Sequence, residues 1–270
     1  MLKDITIGQY FPGKSPVHRL DPRAKIIITA IFISMLFAAG NFFGLFVGLI
    51  FFLFVLFLSQ IPVKMVFKGI KPIVPIIIFT AVLNIFFLGG GKTLIDWWIF
   101  EITTEGLRMS AFMIIRIILL ICGTSLLTYT TSPITLTDAI ERLLSPLKKV
   151  KLPVHELAMM MTIALRFIPT LIEETDKIMS AQKARGADLE SGGLVKRAKA
   201  LVPILIPLFV SAFRRAEELA LAMECRCYRG GDGRTRMKQL KATASDYFAF
   251  VLSLAFLGGV IALNILYKGV

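Results

Sequence analysis

The chain has 270 residues, 56% of them hydrophobic, a formal net charge of +13 and a mean hydropathy of +0.75. Soluble domains are about 45–50% apolar and lack long uncharged runs, so the runs described below exclude that class and make the chain an integral membrane protein. The positive excess does not point to nucleic acid, because Lys and Arg gather in the N-terminal segment, at Lys64–Lys71, and between about Pro133 and Lys241. Such clusters mark cytoplasmic loops.

Residues 1–23 carry Gly8, Pro12, Gly13, Pro16 and Pro22 with Lys3, Lys14, Arg19 and Arg23, which predicts an irregular basic segment without the apolar stretch of a signal peptide. No charge occurs between Lys25 and Lys64. That run is long enough for two spans, one span needing about 20 apolar residues; they cross from about Ile26 to Ala39 and return from about Phe43 to Ile61, turning at Gly40-Asn41. Gly40, Gly44 and Gly48 form a small-residue ladder that suits close helix packing within the molecule. A loop with Lys64, Lys68 and Lys71 follows, and Pro72 and Pro75 open a third span reaching Leu88. Residues 89–106, with Asp96, Glu101 and Glu105 against one Lys, read as an external loop whose Trp97 and Trp98 suit the lipid–water boundary. Gly91-Lys92-Thr93 imitates the end of a phosphate-binding loop, but Phe86 stands where the leading glycine belongs. The fourth span, Leu107 to Tyr129, carries Arg116. A charge at that depth needs a protein partner or marks a substrate path, and the partner is the commoner reason.

Beyond Thr130 the charge density rises. Thr137–Leu144 forms a short amphipathic helix that Thr135 or Thr137 would cap, and Ser145-Pro146 and Leu152-Pro153 bound the next connection. Two long amphipathic patterns follow. The first places Leu157, Met160, Met161, Ala164, Leu165, Ile168, Leu171, Ile172, Ile178 and Met179 on one stripe, and the second Leu194, Ala198, Leu201, Leu205, Leu208, Ala212, Ala216, Leu219 and Met223. Their other faces bear Arg166, Glu173, Glu174, Asp176, Lys177, Lys196, Arg197, Arg214, Arg215, Glu217 and Glu218, too much charge for lipid. Pro169, Pro203 and Pro207 predict kinks. Gly186, Gly192 and Gly193 joint the two helices, and a basic loop through Arg234, Arg236, Lys238 and Lys241 leads to the last span, Tyr247 to Tyr267. The reading is an all-α integral membrane protein with about five transmembrane helices and a cytoplasmic coupling domain of one short and two long amphipathic helices. Its divisions are 1–129 (N-terminal segment and spans one to four), 130–245 (coupling helices) and 246–270 (last span). The N-terminus and coupling helices lie in the cytoplasm and the C-terminus outside.

Both long helices end on an arginine between small residues, Ala184-Arg185-Gly186 and Cys225-Arg226-Cys227. An arginine there can simply bond the last carbonyls of its own helix. The repetition favours a second use: a guanidinium tip entering a groove on another protein, where its five donors meet carboxylates or carbonyls. Two such tips suit a two-lobed partner or two similar subunits. Cys122, Cys225 and Cys227 make neither a disulfide framework nor a zinc site.

Ala164-Leu165-Arg166-Phe167-Ile168-Pro169, Ala181-Gln182-Lys183-Ala184-Arg185-Gly186, Ala222-Met223-Glu224-Cys225-Arg226-Cys227-Tyr228 and Leu20-Asp21-Pro22-Arg23-Ala24-Lys25 together resemble the transmembrane T component of energy-coupling factor (ECF) transporters. The resemblance runs over nearly the whole chain, and Cys225 and Cys227 depart from the Ala and Gly commoner in that motif. It implies a non-catalytic subunit in a prokaryotic cell membrane that joins two ECF ATPases, a homologous pair or a homodimer, to a substrate-binding S component for vitamin or metal-ion uptake. It implies that Arg185 reaches one ATPase and Arg226 the other, that Ala184, Gly186, Cys225 and Cys227 share the docking, and that ATP and Mg²⁺ are used by the partners, with no cofactor on this chain. The apolar surface of Met160, Met161, Leu165, Ile168, Pro169, Leu205, Pro207 and Leu208 would contact the S component, methionines being adaptable, or would pack against the chain's own helices. The rivals are less complete. An intramembrane enzyme needs an ionisable cluster at depth, and His18 and His155 fall outside the spans. A self-contained carrier or channel, the main alternative, leaves the charged block unexplained. An ordinary ABC permease typically uses one short coupling helix.

Overall fold

The computed structural model describes residues 10–87, 90, 93–97, 100–150, 153–187, 193–231 and 240–266. The chain divides into two compact units, one built on Gly8–Leu136 and Gln239–Val270 and the other on Thr137–Lys238.

The first unit is a helical bundle. A short helix α1 (Pro16–Arg19), capped by the Ser15 hydroxyl, leads into α2 (Pro22–Ala38). Asp21 caps α2 by accepting from the Arg23 backbone N–H, and Pro22 takes the first helical position, where a missing N–H is harmless. Then come α3 (Phe42–Ser59), α4 (Val63–Ile70), a 3-10 turn at Lys71–Ile73, and α5 (Val74–Phe87). The expected loop around Lys64–Lys71 is therefore mostly helix. Apolar and basic residues alternate there at helical spacing, and Pro72 tightens only the next turn because it lacks an N–H. Residues 93–103, expected as loop, contain an antiparallel hairpin, β1 (Thr93–Trp97) with β2 (Phe100–Thr103), in which Asp96 faces Glu101. Gly91, Lys92 and Trp98 lie outside the described residues. Helix α6 (Thr104–Thr130) starts at the Thr103 cap, and α10 (Ala244–Leu266) closes the bundle.

Among the described residues five stretches are long and apolar enough to cross a membrane: Phe42–Ser59, Val63–Phe86, Thr104–Thr130, Val154–Ala184 and Ala244–Leu266. Helix α2 falls short of that set at 17 residues, yet about 17 suffice for a span, and it is uncharged after Lys25. It also buries Phe32, Met35 and Leu36 in the bundle core. By contrast Val154–Ala184 qualifies through its first half only, since its second half carries Glu173, Glu174, Asp176, Lys177 and Lys183. The first unit thus holds five apolar stretches able to span a membrane, α2, α3, α4–α5, α6 and α10.

The glycine ladder packs within the molecule, as expected. A Cβ at Gly48 would meet Leu36 at 2.7 Å, one at Gly44 would meet Ala39 at 3.0 Å, and one at Gly40 would meet the Asn264 carboxamide at 2.5 Å. Phe32, stacked on Phe51 at 5.8 Å between centroids, lies against Gly123. Arg116 has a structural partner: its Nη2 donates to the Ala39 carbonyl, and its guanidinium sits 4.5 Å from the Phe112 ring centroid. Asn264 Nδ2 donates to the Ala38 carbonyl at 3.2 Å. Side chains of α6 and α10 thus satisfy the last carbonyls of α2, which a helix end leaves open.

The opposite end of the bundle is held by charges. Asp246 accepts from the backbone N–H of Asp21 at 2.8 Å and of Thr243 at 2.6 Å. Arg23 pairs with Asp21 at 2.7 Å and donates to the Leu240 carbonyl at 3.3 Å. Buried Lys25 donates to the carbonyls of His18 (3.1 Å) and Thr130 (2.9 Å). The first and last spans are therefore fastened through the Leu20–Lys25 motif.

The second unit takes in most of α7 (Pro133–Leu143), which begins earlier than expected because Ser132 and Pro133 supply a cap and a first helical position. A 3-10 segment (Ser145–Val150) leads to α8 (Val154–Ala184), which pairs with α9 (Leu194–Cys225) as an antiparallel hairpin. Glu174 bonds Arg215 at 2.9 Å, and Gln182 Nε2 donates to the Pro203 carbonyl at 3.4 Å. That carbonyl is open for a reason. Its helical donor would be the N–H of residue 207, and Pro207 has none.

Candidate functional site

The two arginine motifs end their helices in the same way. In α8 the backbone N–H of Gly186 donates to Lys183 and that of Ala187 to Gln182, both at 3.0 Å, with Gly186 at φ +84°. In α9 the N–H of Cys227 donates to Glu224 at 2.8 Å and that of Tyr228 to Met223 at 3.0 Å, with Cys227 at φ +54°. Each is a Schellman end, with the arginine as the last half-helical residue and the next residue left-handed. The requirement for a small third residue is thus partly a backbone requirement, which glycine meets freely and cysteine meets at a cost.

These backbone bonds take up carbonyls that the arginine side chain would otherwise satisfy. Ala184, Arg185, Gly186, Cys225, Arg226 and Cys227 are all exposed. Neither Arg185 nor Arg226 has a side-chain hydrogen bond or ion pair among the described residues. Among the described residues both guanidiniums therefore keep all five donors open, at helix ends closed by backbone bonds.

The hairpin sets the tips apart. Arg185 stands where α8 turns toward α9, and Arg226 at the far end of α9. A helix of 32 residues is about 48 Å long at 1.5 Å per residue, so one groove cannot take both arginines. The far end is braced: His155 Nδ1 lies 3.0 Å from Glu141 Oε1, and Gly231, five residues after Arg226, lies against the His155 ring, where a Cβ would come within 2.5 Å.

The expected contact surface is divided. Met160, Met161, Pro169 and Leu205 are exposed, whereas Leu165, Ile168, Pro207 and Leu208 are half-buried. A second stripe on α9 went unread: Val202, Ile206, Phe209 and Phe213, each between 47% and 68% exposed. Its steps of four, three and four residues were legible as a helical face, but the stripe beginning at Leu194 took that role alone. Among the described residues no group of three or more His, Cys, Asp or Glu side chains is placed to hold a metal.

Residues 13–237 match the cobalt transport protein family, CbiQ. The energy-coupling factor transporter transmembrane protein EcfT of Clostridium kluyveri is 59% identical over 255 residues, covering 94% of each chain. The protein of the same name from Ruminiclostridium cellulolyticum is 54% identical over 264 residues, 98% of each. That from Thermosediminibacter oceani is 57% identical over 250 residues, 93% of this chain and 94% of the relative. The chain belongs to the ECF transporter transmembrane protein family. As a member it is a multi-pass membrane component of an ECF transporter, and the N-terminal motif and both arginine motifs lie on the matched or covered length.

Proposed function

We propose that this ECF transmembrane protein transmits ATP-driven motion of two cytoplasmic ATPase subunits to a substrate-binding S component, for uptake of a vitamin or metal ion. The observation that carries the reading is the pair of exposed guanidiniums, without a side-chain partner among the described residues, on two identically ended helices. Each tip would enter a groove of one ATPase, where carboxylates and carbonyls accept its donors; charge-assisted bonds of this kind are worth about 1.5–3 kcal/mol each. The separation of the tips suits two partners, Arg185 on one and Arg226 on the other. ATP and Mg²⁺ would be handled by those subunits.

The cytoplasmic assignment of the coupling helices rests on charge. The Lys25–Thr130 and Asp21–Asp246 bonds bring the starts of α2 and α10 and the end of α6 to one level. Lys14, Arg19, Lys64, Lys68 and Lys71 belong to segments at that end, in agreement with the positive-inside rule. The chain leaves the bundle there for α7 and re-enters there at Ala244. The apolar residues exposed on α8 and α9, from Met160 to Phe213, form a surface suited to the S component, because unpaired apolar patches of this extent mark partner or lipid contacts.

The test is co-purification in mild detergent with subunit identification, together with ATP-driven uptake into vesicles, for the wild type and for Arg185→Glu, Arg226→Glu and the double variant. The wild type is expected to bring down two ATPase chains and a small membrane protein. Each single variant should reduce uptake at least tenfold, the equivalent of about 1.4 kcal/mol, and the double variant should lose the ATPases. Full uptake by the double variant would overturn the reading.

A further inference from the structure

Two neighbouring hollows in the membrane bundle are left without an occupant by the docking reading. The inner one, of about 120 Å³, is walled by Phe32, Phe51, Val55 and Leu126, with Lys25 lining it at the level where α2 begins. The outer one, of about 770 Å³, opens between α1, α3 and the start of α10 and has Lys14 and Arg19 at its edge. Both are lined by Val17, Leu20, Phe54, Leu58, Ala249 and Leu252, so they adjoin. The result is an apolar slot that runs down between spans from a basic mouth.

We infer that this slot holds one anionic phospholipid, its acyl chain between α3 and α10 and its phosphate at Lys14 and Arg19. Three observations support that occupant over others. The slot belongs to the spanning unit and lies at the level where α2 and α10 begin, which is where headgroups of a bilayer sit. Its depth is apolar, so it suits a hydrocarbon chain and not a polar solute. Its mouth carries a local excess of positive charge. The two carboxylates there are already engaged inside the bundle, Asp21 by Arg23 and Asp246 by two backbone N–H groups. Lys14 and Arg19 are exposed and have no ion-pair partner among the described residues. A second copy of this chain would bring the same positive charge to the mouth, which disfavours it.

The test is native mass spectrometry of the full chain in mild detergent, titrated with palmitoyl-oleoyl phosphatidylglycerol and, separately, with the matching phosphatidylcholine. Each basic residue near a phosphate contributes on the order of fivefold in affinity, so wild type should hold one phosphatidylglycerol about 25-fold more tightly than phosphatidylcholine. Lys14→Gln/Arg19→Gln should abolish that preference while still binding both lipids weakly. Ala249→Trp, which fills the slot, should lose the tight site for both. Unfolding temperatures of the variants, measured alongside, identify any that fail to fold, and for those Ala249→Leu replaces Ala249→Trp. A preference for phosphatidylglycerol that survives in the double Gln variant overturns the inference, as does equal binding of the two lipids by wild type. A dimer that forms whether or not lipid is present and excludes both lipids also overturns it, since the slot would then serve another copy.

Discussion

The left-handed third position of each arginine motif can be tested by exchanging its residue. Gly186 sits at φ +84°, and an added Cβ there meets nothing within 4 Å. The cost of Gly186→Ala is therefore backbone strain alone, about 1–2 kcal/mol for a non-glycine residue in that region, offset by about 0.5–1 kcal/mol because Ala has less freedom to lose on folding. The net expectation is a local loss of about 0.5–1 kcal/mol. Cys227 sits at φ +54° and already bears that strain, so Cys227→Gly should gain a similar amount. Hydrogen exchange at the two amides that close each Schellman end is the suitable assay. Exchange at residues 186 and 187 should speed up about two- to fivefold in Gly186→Ala, and exchange at 227 and 228 should slow by a similar factor in Cys227→Gly. Unchanged protection at both ends in both variants would refute the claim that the backbone, and not only the partner, selects the third residue.

Two further outcomes concern the fastening of the spans. Asp246→Ala removes an acceptor from two backbone N–H groups and leaves them buried or half-buried without it; the cost is about 2–4 kcal/mol, read as a lowered unfolding temperature in detergent. His18 gives a pH dependence. Its Nε2 donates to the Phe11 carbonyl at 3.0 Å and its Nδ1 lies 2.6 Å from the Ser15 hydroxyl, an arrangement that suits the neutral ring. Burial holds its pKa below the ordinary value, the Phe11 bond opposes this, and the charge of Lys25 adds to it. The unfolded chain takes up the proton first, near pH 6.5, so this contribution is complete above that pH and is lost as the pH falls below it. Unfolding temperature should drop between pH 7.5 and 5 more in wild type than in His18→Gln, and parallel profiles would show that His18 carries none of the dependence.

The sequence made the apolar spans legible because a charge-free run admits few alternatives: the two helices between Lys25 and Lys64 were fixed by that absence and by Gly40-Asn41. The helix at Thr104 was marked by an apolar run interrupted in its interior by Arg116, and the helix at Ala244 by the charge-free run after Asp246. The hairpin at residues 93–103 was not legible, since its acidic and aromatic residues equally suit an irregular loop and pairing depends on register. Nor was α4, where lysines were read for side of membrane and not for helical spacing. The arginine motifs stood out by repetition, but their shared backbone form could not be read, because Cys227 hides a left-handed position that Gly186 advertises. The fastening of Asp21 to Asp246 joins residues 225 apart in sequence, and no local pattern announces a contact of that range. Arg116 illustrates the reverse case. Its charge in a span was visible, and only the open carbonyl at Ala39 explains it.

The proposed transmission through the α8–α9 hairpin makes a demand on how its helices are joined. Among the described residues the cross-helix polar links are one ion pair, Glu174 with Arg215, whose side chains are 29% and 38% exposed, and the 3.4 Å bond from Gln182 to the Pro203 carbonyl. An ion pair so accessible to water is worth about 0–1 kcal/mol, and the long hydrogen bond adds little. Among the described residues, sliding one helix past the other therefore costs few polar contacts. If each tip follows its own ATPase, the helices must shear as the two ATPases approach. A disulfide between Glu174→Cys and Arg215→Cys, in a background with Cys122→Ala, Cys225→Ala and Cys227→Gly, would forbid that shear without touching either arginine. Uptake should then fall at least tenfold on oxidation and return on reduction, with both ATPases still bound throughout. Full uptake by a completely cross-linked protein would mean that the hairpin tilts as one rigid body, and the weak joint between its helices would have no part in coupling.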